Sequence, residues 1–169
     1  MVLAAAWGIA VAGIGAGLTS LTPWYRALRK PSWQPPDWLF GPAWSVILTL
    51  ASVSAYLGWR DADSAEQRTL VIVLFLANGV FNILWSPMFF RWRRPDWALA
   101  EVPFLWLSIL APIIVLAPIS GTASLLLVPY LVWVSFATVL NIAIVRLNRP
   151  FGAAASHAIA GAAARHELR

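Results

Sequence analysis

Cysteine is absent from the 169 residues, which excludes disulfides, thiolate metal centres and thiol nucleophiles. Charge is nearly as scarce: Asp, Glu, Lys and Arg make up 11% of the chain, against about 25% in an ordinary soluble domain. Histidine occurs only as His157 and His166, both close to the C-terminus. His166-Glu167-Leu168-Arg169 has the start of a zinc pattern but no second ligand follows, so no metal site is expected. The apolar runs contain no paired carboxylates, leaving general acid–base catalysis and a proton relay without their groups. No catalytic residue is assigned.

What the chain has instead is apolar length. Hydrophobic residues reach 60%, and four runs carry no charge: Met1–Tyr25, Trp38–Trp59, Thr69–Phe90 and Val102–Val145. A helix needs about 20 such residues to cross a bilayer, so the first three runs hold one span each and the fourth holds two. The expected fold is an all-α bundle of five transmembrane helices at about 3–22, 39–59, 69–90, 97–117 and 123–146. These make one domain, 1–148, with a lid loop at 23–38 and an Ala-rich cytoplasmic tail at 149–169. Little chain is left for a soluble catalytic or nucleic-acid-binding domain.

Local signals punctuate this plan. The first run lacks a basic segment ahead of it and is too long for a signal-peptide core, so it reads as a retained helix. Its Gly13 and Gly17 form a GxxxG step that admits a close helix neighbour, or simply reflect how common Gly is in membrane helices. Pro23, Pro31, Pro35 and Pro36 stop a helix from continuing through the lid. Asp37 and Asp96 suit N-cap positions, Pro42 falls near a first turn, and Ser64-Ala65-Glu66-Gln67 has the capping-box pattern. Pro118–Thr122 divides the longest run, and Pro103 and Pro112 bend the helix before it. Glu101 is expected to reach lipid headgroups or an arginine of the third loop.

Five crossings gather Arg26, Arg29, Lys30, Arg91, Arg93, Arg94, Arg146, Arg149, Arg165 and Arg169 on one side, with Arg60 and Arg68 opposite. The positive-inside rule then sets the N-terminus outside and the C-terminus in the cytoplasm. The net charge of +5 therefore speaks for orientation and anionic lipid, not nucleic acid.

Polar residues at membrane depth mark the working interior. Asn78, Asn82 and Trp85 share one face of the third helix, and Tyr130, Trp133, Ala137 and Asn141 share one face of the fifth, with Trp44 and Ser45 early in the second. Two aromatic–polar stripes can converge on a flat ligand, or can merely bond the helices together. Eleven Trp are too many for interfacial anchoring alone. Trp7, Trp38, Trp59 and Trp92 fall near helix ends as candidate anchors, Trp24 and Trp33 belong to the lid, and Trp106 has no evident role.

Trp24-Tyr25, Lys30-Pro31-Ser32-Trp33-Gln34-Pro35-Pro36 and Gly41-Pro42-Ala43-Trp44 resemble the translocator protein family, also called the tryptophan-rich sensory protein or peripheral-type benzodiazepine receptor family. The likeness continues in order through Asn82-Ile83-Leu84-Trp85-Ser86-Pro87, Trp97-Ala98-Leu99 and Pro129-Tyr130 to Asn141, and covers about residues 5–148. It implies a five-helix bundle, commonly a homodimer, in a bacterial cell membrane or the mitochondrial outer membrane. It also implies binding of porphyrins such as protoporphyrin IX, of sterols, and of isoquinoline carboxamide and benzodiazepine drugs. Carried over by position, the ligand site comprises Trp24, Trp33, Trp44, Asn82, Trp85, Trp97, Tyr130, Trp133, Phe136, Ala137 and Asn141, with Arg26, Arg29 and Lys30 as candidates to attract propionates. The sterol pattern of the animal proteins lacks its Tyr here, since Leu140-Asn141 is followed by Ile142-Ala143. No resident cofactor is expected, and without Cys or His in the bundle a bound tetrapyrrole would be held by its ring and propionates rather than through iron. Alternatives to a receptor are light- and oxygen-dependent porphyrin degradation at pocket indoles, and translocation of tetrapyrrole or sterol-like lipid.

Overall fold

The computed structural model describes residues 1–152, and its regular elements are all helices. The expected tail from residue 153 onward, with His157, Arg165, His166 and Arg169, lies outside the described residues. In chain order the helices are α1 (Val2–Leu18), α2 (Pro23–Ala27), α3 (Asp37–Asp61), α4 (Ala65–Ser86), α5 (Pro95–Leu116), α6 (Gly121–Leu126) and α7 (Val128–Asn148). Four stretches are long and apolar enough to cross a membrane: Asp37–Asp61, Ala65–Arg91, Pro95–Leu116 and Gly121–Asn148. α1 is apolar but shorter.

The boundaries depart from the sequence expectations where proline or a cap decides. α1 stops at Leu18 rather than 22, because Thr19 turns extended and its hydroxyl and N–H both satisfy the Gly15 carbonyl. The lid is not all loop, since Pro23 starts the short α2, where a missing N–H is harmless. Asp37 and Asp96 sit just inside α3 and α5, and Pro36 and Arg94 hold the cap positions instead. Both carboxylates are engaged elsewhere, Asp37 by Tyr25 and Gln34 and Asp96 by Arg94. Pro42 stands inside α3, beyond its first turn. α4 begins at Ala65 and Ser64 caps it as expected, its Oγ accepting from Gln67 N–H at 3.1 Å, while the Gln67 side chain reaches one residue past the cap to accept from Asp63 N–H at 2.8 Å.

Pro87 ends α4, and the chain widens into a π turn over Pro87–Arg91 closed by Trp92 N–H on the Pro87 carbonyl at 2.8 Å. The last span is broken at Leu127 into α6 and α7, since Pro129 offers no N–H to the Leu125 carbonyl one turn back. The break falls within the expected region at residues 117–120, between Leu116 and Gly121, while Gly121 and Thr122 already open α6.

α1 packs on α3 and α4, α4 on α5, α5 on α7, and α6 fits against α3 and α5. Lipid is as apolar as these helices, so close packing and hydrogen bonds must join them rather than hydrophobic burial. The bonds are present: Ser54 Oγ to Ala123 O at 2.7 Å, Asn78 Nδ2 to Ser108 Oγ at 3.0 Å, Ser124 Oγ to Ile113 O at 2.7 Å and Trp106 Nε1 to Ser135 Oγ at 2.9 Å. The last gives Trp106 a role, tying α5 to α7.

Close approach by α1 depends on Gly8 and Gly79, not on the GxxxG pair. Gly13 and Gly17 have nothing within 4 Å of where a Cβ would stand. A Cβ on Gly8 would collide with Ser52 Oγ, and one on Gly79 would lie 2.7 Å from Trp7 Nε1 and 3.2 Å from Val11 Cγ2. Trp7 is thus no interfacial anchor, since it packs edge-on against Phe75 at 5.6 Å between α1 and α4. Gly79→Ala is expected to lose about 1–3 kcal/mol, because the rigid indole cannot yield without moving α1. Thermal unfolding in detergent should show the midpoint falling by roughly 2–4 °C per kcal/mol. Gly13→Ala, in open space, should not lower it.

Candidate functional site

The site is built where α3, α4 and α7 meet beneath the lid. On α7, Tyr130, Trp133 and Phe136 recur at helical spacing, with Ala137 one turn beyond Trp133 on the same face. On α3, Phe40 and Trp44 stand one turn apart and face them. Trp44 meets Tyr130 edge-on at 5.9 Å, Phe40 meets Trp133 at 5.7 Å, and Trp133 tilts against Phe136 at 5.6 Å. From α4, Asn82 Nδ2 donates to the Tyr130 hydroxyl at 2.7 Å, fixing a phenol that is only 1% exposed. The Trp133 indole N–H is buried and has no acceptor among the described residues. A buried donor left unsatisfied costs about 1–3 kcal/mol, so this one is poised for an incoming acceptor.

The lid closes over this wall through Trp33, which is 47% exposed and rests edge-on against Phe136 at 6.0 Å. A small polar network holds the lid in shape. The Tyr25 hydroxyl donates to Asp37 Oδ1 at 2.8 Å, Gln34 Nε2 donates to the same oxygen at 3.2 Å, and Lys30 Nζ lies 3.6 Å from Asp37 Oδ2 and 3.8 Å above the Tyr25 ring. At the other end, Asn148 clamps Arg29 twice, accepting its N–H and donating to its carbonyl, each at 2.8 Å. Of the expected propionate partners, Lys30 is therefore already engaged, while Arg26 and Arg29 are exposed and have no acidic partner among the described residues.

Burial, then the hydrogen bond to Asp37, raises the Tyr25 phenol above its ordinary value. The protonated form is favoured by folding, so its contribution is fully present below about pH 10 and fades only as the pH climbs beyond. Tyr25→Phe should loosen the lid, since a hydrogen bond to a carboxylate contributes about 1.5–3 kcal/mol. Limited trypsin digestion at pH 8 should cut at Arg26 or Arg29 roughly tenfold faster in that variant.

Other expected site residues make their main contacts outside this wall, although Phe40 also packs against the cluster that holds Trp24 and Trp85. Trp24 and Trp85 belong to a second aromatic cluster under α2, where Trp85 stacks on Phe89 at 5.0 Å and Trp24 meets Phe89 at 6.2 Å. Trp97 is 50% exposed and sits against Trp92 at 6.3 Å with the Arg94 guanidinium 4.3 Å above its ring. Asn141 is buried on α7, and its amide, oriented by its neighbours, donates to Pro95 O and accepts from Leu99 N–H, each at 3.2 Å. Asn141 and Asn78 thus bond helices together, while Asn82 donates directly to the Tyr130 hydroxyl of the wall and Asn78 lies close to the same hydroxyl. Phe40 was absent from the expected set, although its position four residues before Trp44 places it on the same helical face.

Most residues of this wall and lid, among them Trp33, Trp44, Asn82, Tyr130 and Trp133, fall within the motifs that resemble a known family, and comparison with known proteins agrees. The model of the TspO/MBR family matches residues 1–147. A tryptophan-rich protein TspO from Chlorobaculum tepidum is 36% identical over 157 residues, covering 88% of this chain and 96% of its own. The human translocator protein is 33% identical over 126 residues, covering 74% and 75%. A tryptophan-rich sensory protein from Cereibacter sphaeroides is 37% identical over 125 residues, covering 74% and 77%. With nearly its whole helical part matched, and with the Trp-rich lid and wall built from the matched residues, this chain belongs to the TspO/MBR family of multi-pass membrane proteins.

Proposed function

We propose that the protein is a membrane receptor or sensor that binds a porphyrin-like tetrapyrrole, such as protoporphyrin IX, between α3, α4 and α7 under the lid. The observation that carries this reading is the unsatisfied Trp133 indole N–H within a wall of aromatic rings. Rings meeting edge-on or tilted offer π-faces to a flat macrocycle, and a buried donor beside them gives it one directional contact. Ala137, one turn beyond Trp133 on α7, adds little bulk on that face. Arg26 and Arg29 lie at the lid, where propionates could emerge. Trp24, Trp85, Trp97 and Asn141, implied by the family resemblance, are assigned to supporting the lid and α5 rather than to the wall.

The same reading has five crossings, with α1 as the first. Its 17 residues span roughly 26 Å, slightly under the hydrocarbon thickness, a mismatch that local thinning accommodates. Arg26, Arg29, Lys30, Arg91, Arg93, Arg94, Arg146 and Arg149 share one end of the bundle, which supports a cytoplasmic C-terminus and an outer N-terminus. A homodimer in a bacterial cell membrane, both implied by the family resemblance, completes the proposal. Titrating purified protein with protoporphyrin IX in the dark should quench tryptophan fluorescence saturably, at one equivalent per chain. Quenching that rises linearly without a plateau would reject a defined site.

A further inference from the structure

At the cation-rich end of the bundle, away from the Trp44–Trp133 wall, a pocket of about 330 Å³ opens between the lid, the turn before α5 and the end of α7. Its walls are Trp24, Trp92 and Phe151, and its polar groups are Arg93, Arg94 and Asn148. We propose that this pocket binds the phosphodiester headgroup of an anionic phospholipid, such as phosphatidylglycerol.

Three observations point there. Arg93 has φ 56°, a left-handed backbone that glycine or asparagine would normally supply, and it is exposed with no acidic partner among the described residues. This left-handed turn closes the π turn, with Arg94 N–H on the Met88 carbonyl at 3.0 Å, and leaves the Arg93 guanidinium exposed beside the pocket it lines. Arg94 is held rigidly beside it: Asp96 takes its Nε and Nη2, the Trp97 ring lies beneath, and the remaining Nη1 edge is turned to the Gly152 backbone at the pocket wall. A fixed guanidinium edge next to a free one is a suitable cradle for phosphate oxygens. The third observation is the aromatic lining. A free anion has no use for Trp24, Trp92 and Phe151, whereas a lipid whose glycerol and first methylenes follow its phosphate does, and Trp favours headgroup depth. The site is independent of the proposed tetrapyrrole site.

The test uses the full chain in detergent with equal amounts of dioleoyl phosphatidylglycerol and dioleoyl phosphatidylcholine, reading retained lipid by native mass spectrometry. The expected result is a preference for phosphatidylglycerol of roughly fivefold or more. Arg93→Gly removes the charge while supplying the residue that this backbone favours, so it should abolish the preference without lowering the unfolding midpoint. Arg93→Lys should retain most of the preference. Equal retention of both lipids by the unaltered protein, or an unchanged preference in Arg93→Gly, would overturn the proposal. Displacement of phosphatidylglycerol by millimolar inorganic phosphate would also overturn it, in favour of a free-anion site.

Discussion

Replacing both Trp44 and Trp133 with alanine is expected to weaken protoporphyrin IX binding by about 100-fold. The two indoles come from different helices and form opposite parts of one wall, Trp44 against Tyr130 and Trp133 between Phe40 and Phe136. Each ring stacked on a flat ligand contributes about 1–3 kcal/mol, which for two rings gives a loss of that order. Trp133→Phe separates the contributions, because it keeps a ring and removes the unsatisfied N–H; a loss of about fivefold is expected from one hydrogen bond. Trp59→Ala serves as the control. That residue lies at the far end of α3, beside Arg68, and its removal should leave affinity unchanged. Fluorescence or absorbance titration of the four proteins checks the series, and comparable losses in Trp59→Ala would place the ligand elsewhere.

Glu101→Leu is expected to stabilise the protein by about 2–4 kcal/mol. Glu101 is 7% exposed on the buried face of α5, among Ala98, Val102 and Leu105, and neither carboxyl oxygen has a partner among the described residues. It does not reach Arg91, Arg93 or Arg94, since it points into the bundle while those residues gather at its end and Arg94 is taken by Asp96. A polar group buried without a hydrogen bond is unfavourable, and an apolar residue of similar volume in its place relieves the penalty. Thermal unfolding in detergent should show a midpoint higher by roughly 5–10 °C. A fall of that size would mean that the carboxyl carries an interaction the folded chain depends on.

Much of the fold was legible because local rules decide it. Ser64 caps α4 where the pattern placed it, and a break inside the Pro118–Thr122 segment divides the last two long apolar stretches. Proline was harder to read, because its effect depends on position. Pro23 begins α2 instead of preventing a helix, Pro87 turns the end of α4 into a π turn, and Pro129 breaks the last span. The close glycines were not legible. GxxxG spacing pointed to Gly13 and Gly17, but which glycine meets a neighbour depends on how α1 is rotated against α3 and α4, and that selects Gly8 and Gly79.

In the candidate site, helical spacing put Tyr130 and Trp133 on one face of α7 and Asn82 on a face of α4, and the fold brings Asn82 to Tyr130. Spacing could not separate Asn141 and Trp85 from them. Both lie at sensible positions on the right helices, yet Asn141 spends its amide on the first turn of α5 and Trp85 faces Phe89 under the lid. Trp7 and Trp106 show the same limit, since a tryptophan near a helix end or without a stripe becomes a packing residue only through a partner on another helix.

The most direct measurement of the central claim is a structure of the protein determined with protoporphyrin IX bound. The account predicts macrocycle density between α3, α4 and α7, stacked beside Trp44 and Trp133, with Trp33 above it and an acceptor within about 3 Å of the Trp133 indole nitrogen. A macrocycle lying on the outer face of the bundle, with the Trp44–Tyr130 and Phe40–Trp133 contacts unchanged, would contradict it.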